Sequence, residues 1–273
     1  EANLYAYMQY GPEFVKKLNG IFAFAIWDDN AKKLLLYRDR VGIKPLFYAY
    51  LSRQLIFASE PKALFCFPGF TPELSFEGMR EILSIGPART PGNGIFKHVN
   101  EVLPGHYLIF GDDTVSDHTY WDLFRVPHTD SYEKTVETVS FLIRDSVTRQ
   151  MVSDVPVCTF LSGGIDSSIV TAIACRYLSE HGETLNTFSF DFKDNDLYFK
   201  SNAFQPERDL PYVKIMLHHY HTNHTYLECD EKLLFSALKD AVDAKDFPGM
   251  TDVDSSLLSF FSLVKQPNKV ALP

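Results

Sequence analysis

Apolar and polar residues along this chain fall into two regimes, first short strand-length runs, then runs that alternate with helical stretches. Residues 21–27 are continuously apolar, which suits a strand covered on both faces. Asp28-Asp29-Asn30 then signals a turn, and residues 33–38, 46–50 and 55–59 read as further strands. Connections this short predict an antiparallel meander, which needs a second layer to bury its large aromatics. Residues 3–10 and 12–18 read as short helical pieces, with Pro12 tolerated in a first turn. A helix is predicted over 76–84, irregular chain at Pro87, Pro91, Gly92, Asn93 and Gly94, a strand over 102–110, and a turn at Gly111-Asp112-Asp113.

The second regime opens after Pro127, His128, Thr129, Asp130 and Ser131, a polar shift that fits a boundary. Residues 132–151 form an amphipathic helical pattern with Val136, Val139, Ile143 and Val147 on one side. An apolar run over 155–161, broken by Pro156 and Thr159, predicts a strand. A helix follows from Ser167 to His181, stopped by Gly182, and a second strand over 185–192. Residues 196–209 are polar and read as a solvated loop, 210–219 as a helix, Tyr226-Leu227 as the start of a third strand and 231–242 as another helix. A last helix opens near Asp252, with Asp254 or Ser255 as its cap, and 269–273 resembles a strand just begun. Such alternation implies a parallel sheet with helices on both faces. The chain thus divides into residues 1–126 and 127–273.

Composition narrows the classes. The 273 residues suffice for two cores, and 45% hydrophobic with 22% charged residues is ordinary globular composition. No stretch approaches membrane-spanning length, and no basic region followed by an apolar core stands at the start. A formal charge of −9 argues against a general nucleic-acid binder, which needs a basic stripe. Cys66, Cys158, Cys175 and Cys229 form no CxxC pair and read as small hydrophobes in a reducing, cytoplasmic compartment. His218, His219, His221 and His224 straddle a helix end without ligand geometry, which argues against a metal site. The chain opens at Glu1 inside a periodic segment and closes inside a strand, so it reads as an internal fragment.

The chemistry concentrates in Leu161-Ser162-Gly163-Gly164-Ile165-Asp166-Ser167-Ser168, a turn between strand and helix. Two glycines let the backbone approach an anion, and the first amides of the helix point at it with the positive end of the macrodipole. Ser162, Ser167 and Ser168 can donate hydrogen bonds to phosphate oxygens, and Asp166 can take a Mg²⁺ ion carried in with the phosphates. No lysine follows the glycines, so the pattern is not that of a Walker loop.

Ser162-Gly163-Gly164-Ile165-Asp166-Ser167 resembles the pyrophosphate loop of ATP pyrophosphatases, which split ATP between the α and β phosphates to adenylate a substrate. Upstream, residues 19–28 (NGIFAFAIWD), 38–46 (RDRVGIKPL) and 57–64 (FASEPKAL) resemble successive signatures of class II glutamine amidotransferase domains. Over essentially its whole length the chain resembles glutamine-hydrolysing asparagine synthetases. The resemblance implies an α+β antiparallel four-layer sandwich of the N-terminal-nucleophile type, then an α/β parallel-sheet ATP-pyrophosphatase domain, both incomplete. It implies ATP and Mg²⁺ as cofactors, and ATP, aspartate and glutamine as small-molecule substrates. It also implies a β-aspartyl-AMP intermediate and ammonia delivered from glutamine. A homodimer is compatible with it.

By the same resemblance Ser162, Gly163, Gly164, Asp166, Ser167 and Ser168 hold the phosphates, with Asp166 on Mg²⁺, and backbone groups at Phe160 and Phe190 hold the adenine. The family's nucleophile is an N-terminal Cys whose own amine serves as base. The chain begins beyond that part, and Cys66 follows the fourth predicted strand, so no catalytic residue is assigned. Arg38, Asp39, Arg40 and Lys44 form either a charged loop with local ion pairs or, with Ser59-Glu60, part of the route by which ammonia passes. Ser255 and Ser256 either cap a helix or contact aspartate or nucleotide. Two other classes stay open: a related ligase with another acceptor, such as a β-lactam synthetase or a peptide or polysaccharide amidotransferase, and an inactive nucleotide-binding module.

Overall fold

The computed structural model describes residues 1–273 apart from 52, 87, 113, 204, 205, 266–269 and 273, and of Thr251 and Asp252 the backbone alone. Pro87, Asp113, Lys269 and Pro273, named above in predicted turns and strands, lie outside the described residues. The chain forms two units: Glu1–Val126 with Val242–Met250, and Pro127–Ala241 with Thr251–Pro273. Among the described residues no helix is long and apolar enough to cross a membrane.

In the first unit α1 (Ala2–Tyr10) and a 3₁₀ segment (Gly11–Lys17) precede β1 (Ala23–Asp28), β2 (Lys33–Arg38), β3 (Phe47–Leu51) and β4 (Gln54–Ala58). Next come α2 (Pro61–Phe65), α3 (Phe76–Ser84), β5 (Val99–Glu101), β6 (His106–Gly111) and β7 (Thr114–Thr119). The strands form two antiparallel sheets, ordered β1-β2-β6-β7 and β4-β3-β5. This corrects the predicted meander, because β2 pairs with β6 and β3 with β5 instead of with each other. The chain leaves β2 at Arg38 and Asp39, both buried, whose side chains bond the backbone of residues 42–44 and so hold the turn between the two sheets. Strand β1 is an edge, and Trp27 and Ile21 are 56% and 45% exposed, so the apolar run is not covered on both faces. The strand predicted over 102–110 breaks at Gly105, where φ is +71° and the N–H bonds the carbonyl of Asp39 at 2.9 Å.

The core of this unit is aromatic. Tyr37 stacks on Phe24 at 4.9 Å and on Tyr107 at 5.2 Å, and Phe14 meets it edge-on at 5.4 Å. The segment Val242–Met250 joins the unit through Asp246, whose carboxylate accepts the Lys62 N–H at 3.0 Å and pairs with its ammonium at 3.2 Å. Arg89 lies over the Phe247 ring at 4.7 Å.

The second unit runs α4 (Tyr132–Gln150), β8 (Val157–Phe160), α5 (Ile165–Glu180), β9 (Leu185–Phe192), α6 (Asn195–Tyr198), α7 (Leu210–His219) and β10 (Thr222–Cys229). It continues with α8 (Glu231–Lys245), whose last residues cluster with the first unit, α9 (Thr251–Val264) and β11 (Val270–Leu272). Its strands are parallel in the order β10-β9-β8-β11. Ser131 starts α4 by accepting the Lys134 N–H at 3.2 Å. Adjacent residues of β8 enter different core clusters: Val157 packs with Val147, Ala174 and Leu185, whereas Cys158 packs with Phe188, Phe260 and Val264. Since neighbouring strand residues point to opposite faces, apolar contacts cover both faces of the sheet. Helix α9 begins at Thr251, so Asp254 and Ser255 lie within it and do not cap it. Strand β10 begins at Thr222, ahead of the predicted start, and the polar stretch after β9 contains the short helix α6.

Candidate functional site

The turn after β8 is held from below by the sheet. Leu161 is buried, its N–H bonds the carbonyl of Phe188 at 2.8 Å, and its own carbonyl accepts the Ser189 hydroxyl. The chain then reverses at Gly163, where φ is +85°, and Gly164 is the residue before α5. A side chain at 163 is excluded twice: by the positive φ, and by the carbonyl of Asp209, which lies 2.7 Å from where its Cβ would sit. Glycine here is a geometric requirement.

Inside the turn the hydroxyls interlock. The Ser162 and Ser167 Oγ atoms are 3.0 Å apart, Ser167 Oγ donates to the Gly164 carbonyl at 3.1 Å, and the Gly164 N–H reaches Ser162 Oγ at 3.4 Å. Ser168 makes the first helical bond, to the Gly164 carbonyl, at 3.1 Å. The amides ahead of it have no carbonyl partner within a helix and face the turn. Asp166 is exposed in the first turn of α5, where the macrodipole favours a carboxylate. Ser162, Gly163, Gly164, Asp166, Ser167 and Ser168 therefore lie together at the carboxyl end of a parallel strand, the place where open sheets bind ligands.

Phe160 and Phe190 sit on adjacent strands but contribute their rings elsewhere. Phe160 meets Phe260 at 4.8 Å and Phe190 meets the same ring at 5.7 Å, both against α9. Pairing of β8 with β9 ends at Phe160 opposite Phe188, while β9 runs on to Phe192. Phe190 thus stands on the part of β9 past the end of β8.

A cavity of about 470 Å³ opens beside the turn, lined by Ser162, Ser189, Phe190, Asp191, Asp209 and Tyr226 among others. Burial raises the Asp209 carboxyl from its ordinary value, and the neighbouring Asp191 adds to the rise. Burial and the hydrogen bond to Asp191 likewise raise the Tyr226 phenol. Ser189, Asp191, Asp209 and Tyr226 were not singled out by the reading of the sequence. The signal for the first two is the alternation Thr187-Phe188-Ser189-Phe190-Asp191-Phe192, which puts a polar row on one face of a strand from a buried parallel sheet.

Elsewhere the predicted residues play structural parts. Arg38 and Asp39 are 6% and 1% exposed and bind backbone instead of each other. Arg38 donates to the carbonyls of Lys44 at 3.0 Å, Val102 at 2.6 Å and Gly42 at 2.9 Å, and pairs with Glu101 at 2.9 Å. Asp39 accepts the N–H groups of Ile43 and Lys44 at 2.9 Å and of Phe22 at 3.4 Å. At Arg38 and Asp39 this corrects the reading of a charged loop with local ion pairs, while Lys44 is exposed. Ser255 and Ser256 are buried inside α9. His224 packs on Thr187 through Nδ1 at 2.9 Å. Among the described residues no group of three or more His, Cys, Asp or Glu side chains is arranged to hold a metal ion.

The family model for a glutamine amidotransferase domain matches residues 1–121, and that for asparagine synthase matches residues 138–273. Asparagine synthetase [glutamine-hydrolyzing] 3 of Bacillus subtilis is 45% identical over 273 residues, 100% of this chain and 44% of that protein. Amidase chyE of Penicillium rubens is 32% identical over 89% of this chain and 36% of its own length. The chain thus spans less than half the length of these curated relatives. Among solved structures, glutamine-dependent NAD+ synthetase from Acinetobacter baumannii aligns with 98% of this chain and 63% of its own at 12% identity, with a TM-score of 0.33, too low to bear on fold or function. With an amidotransferase domain followed by an asparagine synthase domain, and a 45% identical synthetase relative matched along all of this chain, the chain belongs to the asparagine synthetase family.

Proposed function

We propose that this chain is part of a cytoplasmic carbon–nitrogen ligase that converts ATP, L-aspartate, L-glutamine and water into L-asparagine, AMP, diphosphate and L-glutamate. Residues 1–126 would supply the amidotransferase part, a four-layer sandwich, and 127–273 the ATP-pyrophosphatase part. The observation that carries this is the Ser-Gly-Gly turn, which gathers Ser162, Gly163, Gly164, Asp166, Ser167 and Ser168 at the carboxyl end of β8. Backbone amides at the start of α5 and the three serine hydroxyls would bind the phosphates and stabilise charge on the departing diphosphate. Backbone at Phe160 and Phe190 would hold the adenine.

The aspartate β-carboxylate oxygen attacks the α-phosphorus of ATP and the bond to the diphosphate breaks, which leaves β-aspartyl-AMP. Ammonia, released by hydrolysis of the glutamine side-chain amide, then attacks the acyl carbon, AMP departs with the electron pair of the broken bond, and the nitrogen gives up one proton to water to leave the neutral amide. Mg²⁺ is usually held by one or two carboxylates together with substrate phosphates, and the exposed Asp166 carboxylate fits that donor set. When bound it would neutralise phosphate charge.

Calorimetry of Mg-ATP with the chain and its Asp166→Ala variant tests this reading. Binding that weakens in the variant while the fold persists is the expected result. A folded chain that binds no Mg-ATP overturns it. The fungal amidase relative favours a second reading, with a different acceptor. Formation of asparagine from aspartate and glutamine by the complete protein decides between them.

A further inference from the structure

The polar row on β9 ends at Asp191, and its carboxylate collects partners from several elements. Oδ1 accepts the Phe192 N–H at 2.8 Å and the Asn195 side-chain amide at the start of α6. Oδ2 accepts the Tyr226 hydroxyl of β10 at 2.8 Å and faces Arg208 Nη2 at 3.5 Å. The Asp191 side chain is 16% exposed and that of Arg208 28%, so their attraction is only partly screened by water. One carboxylate therefore ties β9 to β10, to Asn195 near the start of the excursion between β9 and α7, and to Arg208 near its end.

The tie at Arg208 continues into the phosphate turn. The next residue, Asp209, accepts the N–H groups of Tyr212 at 3.0 Å and Val213 at 3.1 Å and so starts α7. The same Asp209 carbonyl is the atom against which Gly163 packs. Asp191, Arg208, the first turn of α7 and Gly163 form a continuous line of contacts.

We infer that Asp191 is a positioning residue for the nucleotide site, acting through Arg208 on the Asp209 carbonyl that supports the Gly163 turn. The inference rests on the proposed nucleotide reading of that turn. Asparagine at 191 keeps an acceptor for one row of donors, but removes the charge that holds Arg208 and sets an NH₂ where an acceptor is needed. Glutamine at 208 cuts the same tie from the other side, at a residue that does not line the cavity.

A double-mutant cycle on Mg-ATP affinity, read by calorimetry on the chain, its Asp191→Asn and Arg208→Gln variants and the pair together, tests it. Thermal midpoints and circular dichroism establish that each variant is folded. Each single change is expected to weaken Mg-ATP binding roughly tenfold, and the double change no further than the weaker single one, since both break one link. Unchanged affinity in folded single variants, while the parent binds, overturns the inference and leaves the nucleotide reading intact. A double variant weakened by the product of the separate factors also overturns it, because Asp191 would then act on the ligand independently of Arg208. Should Asp191→Asn fail to fold, unchanged affinity of Arg208→Gln alone overturns it. A folded parent chain that binds no Mg-ATP removes the nucleotide reading and this inference with it.

Discussion

Thr159 on β8 and Thr171 on α5 share a hydrogen bond of 2.9 Å, with 0% and 1% of their surfaces exposed. The bond fastens the helix to the strand directly below the Ser-Gly-Gly turn. Thr171→Val leaves the Thr159 hydroxyl without this partner in a dry interior, and should cost about 1–3 kcal/mol of stability. Replacing both threonines by valine should cost less than the sum of the single changes, because no polar group is then stranded. Urea unfolding of the singles and the double measures this, and strictly additive losses would contradict the account.

Gly163→Ala should act on both stability and binding. The substitution forces an L-residue to a φ of +85° and presses its Cβ on the Asp209 carbonyl, so roughly 1–3 kcal/mol is expected from the backbone alone. Gly182, also at positive φ but with nothing within 4 Å of its Cβ position, gives the control. Gly182→Ala should lose stability without loss of Mg-ATP affinity, whereas Gly163→Ala should lose both.

Asp39→Ala should loosen the first unit. Its carboxylate is the acceptor for three backbone N–H groups, and removal should cost about 2–4 kcal/mol through unsatisfied donors. Arg38→Met leaves the buried Glu101 carboxylate without its close partner, and should cost about 3–5 kcal/mol. Hydrogen exchange at the amides of β2 and β6 should speed up in both variants. Protection equal to that of the parent would mean that the loop does not hold the sheets.

Acid should weaken the second unit through His224. Burial lowers its pKa from the ordinary value, so over the interval between the two values the unfolded chain binds more protons than the folded one. Stability is then full above the unfolded pKa of about 6.5 and falls as pH drops below it. His224→Phe should flatten the dependence of the unfolding midpoint on pH in that window. A slope unchanged by the substitution would assign the acid sensitivity elsewhere.

Local sequence determined the Ser-Gly-Gly turn, because two glycines between an apolar run and a helical pattern are a property of a few adjacent residues. It also set α3, whose predicted span is the observed one, and β9, since the Ser75 cap and the strand periodicity act over short range. The family signatures were legible for the same reason, as contiguous residues in order. Other features depended on partners distant in the chain. That β2 pairs with β6, that β1 is an edge, and that Arg38 and Asp39 are buried all follow from contacts with residues such as Val102 and Gly105. The helix predicted to open near Asp252 begins at Thr251, yet Asp254 and Ser255 lie inside it, because a short polar side chain near a helix start has cap chemistry whether or not the fold places it at the first turn. The web around Asp191 joins residues from β9, α6, the chain before α7, and β10, so only the folded sheet could bring those donors to one carboxylate.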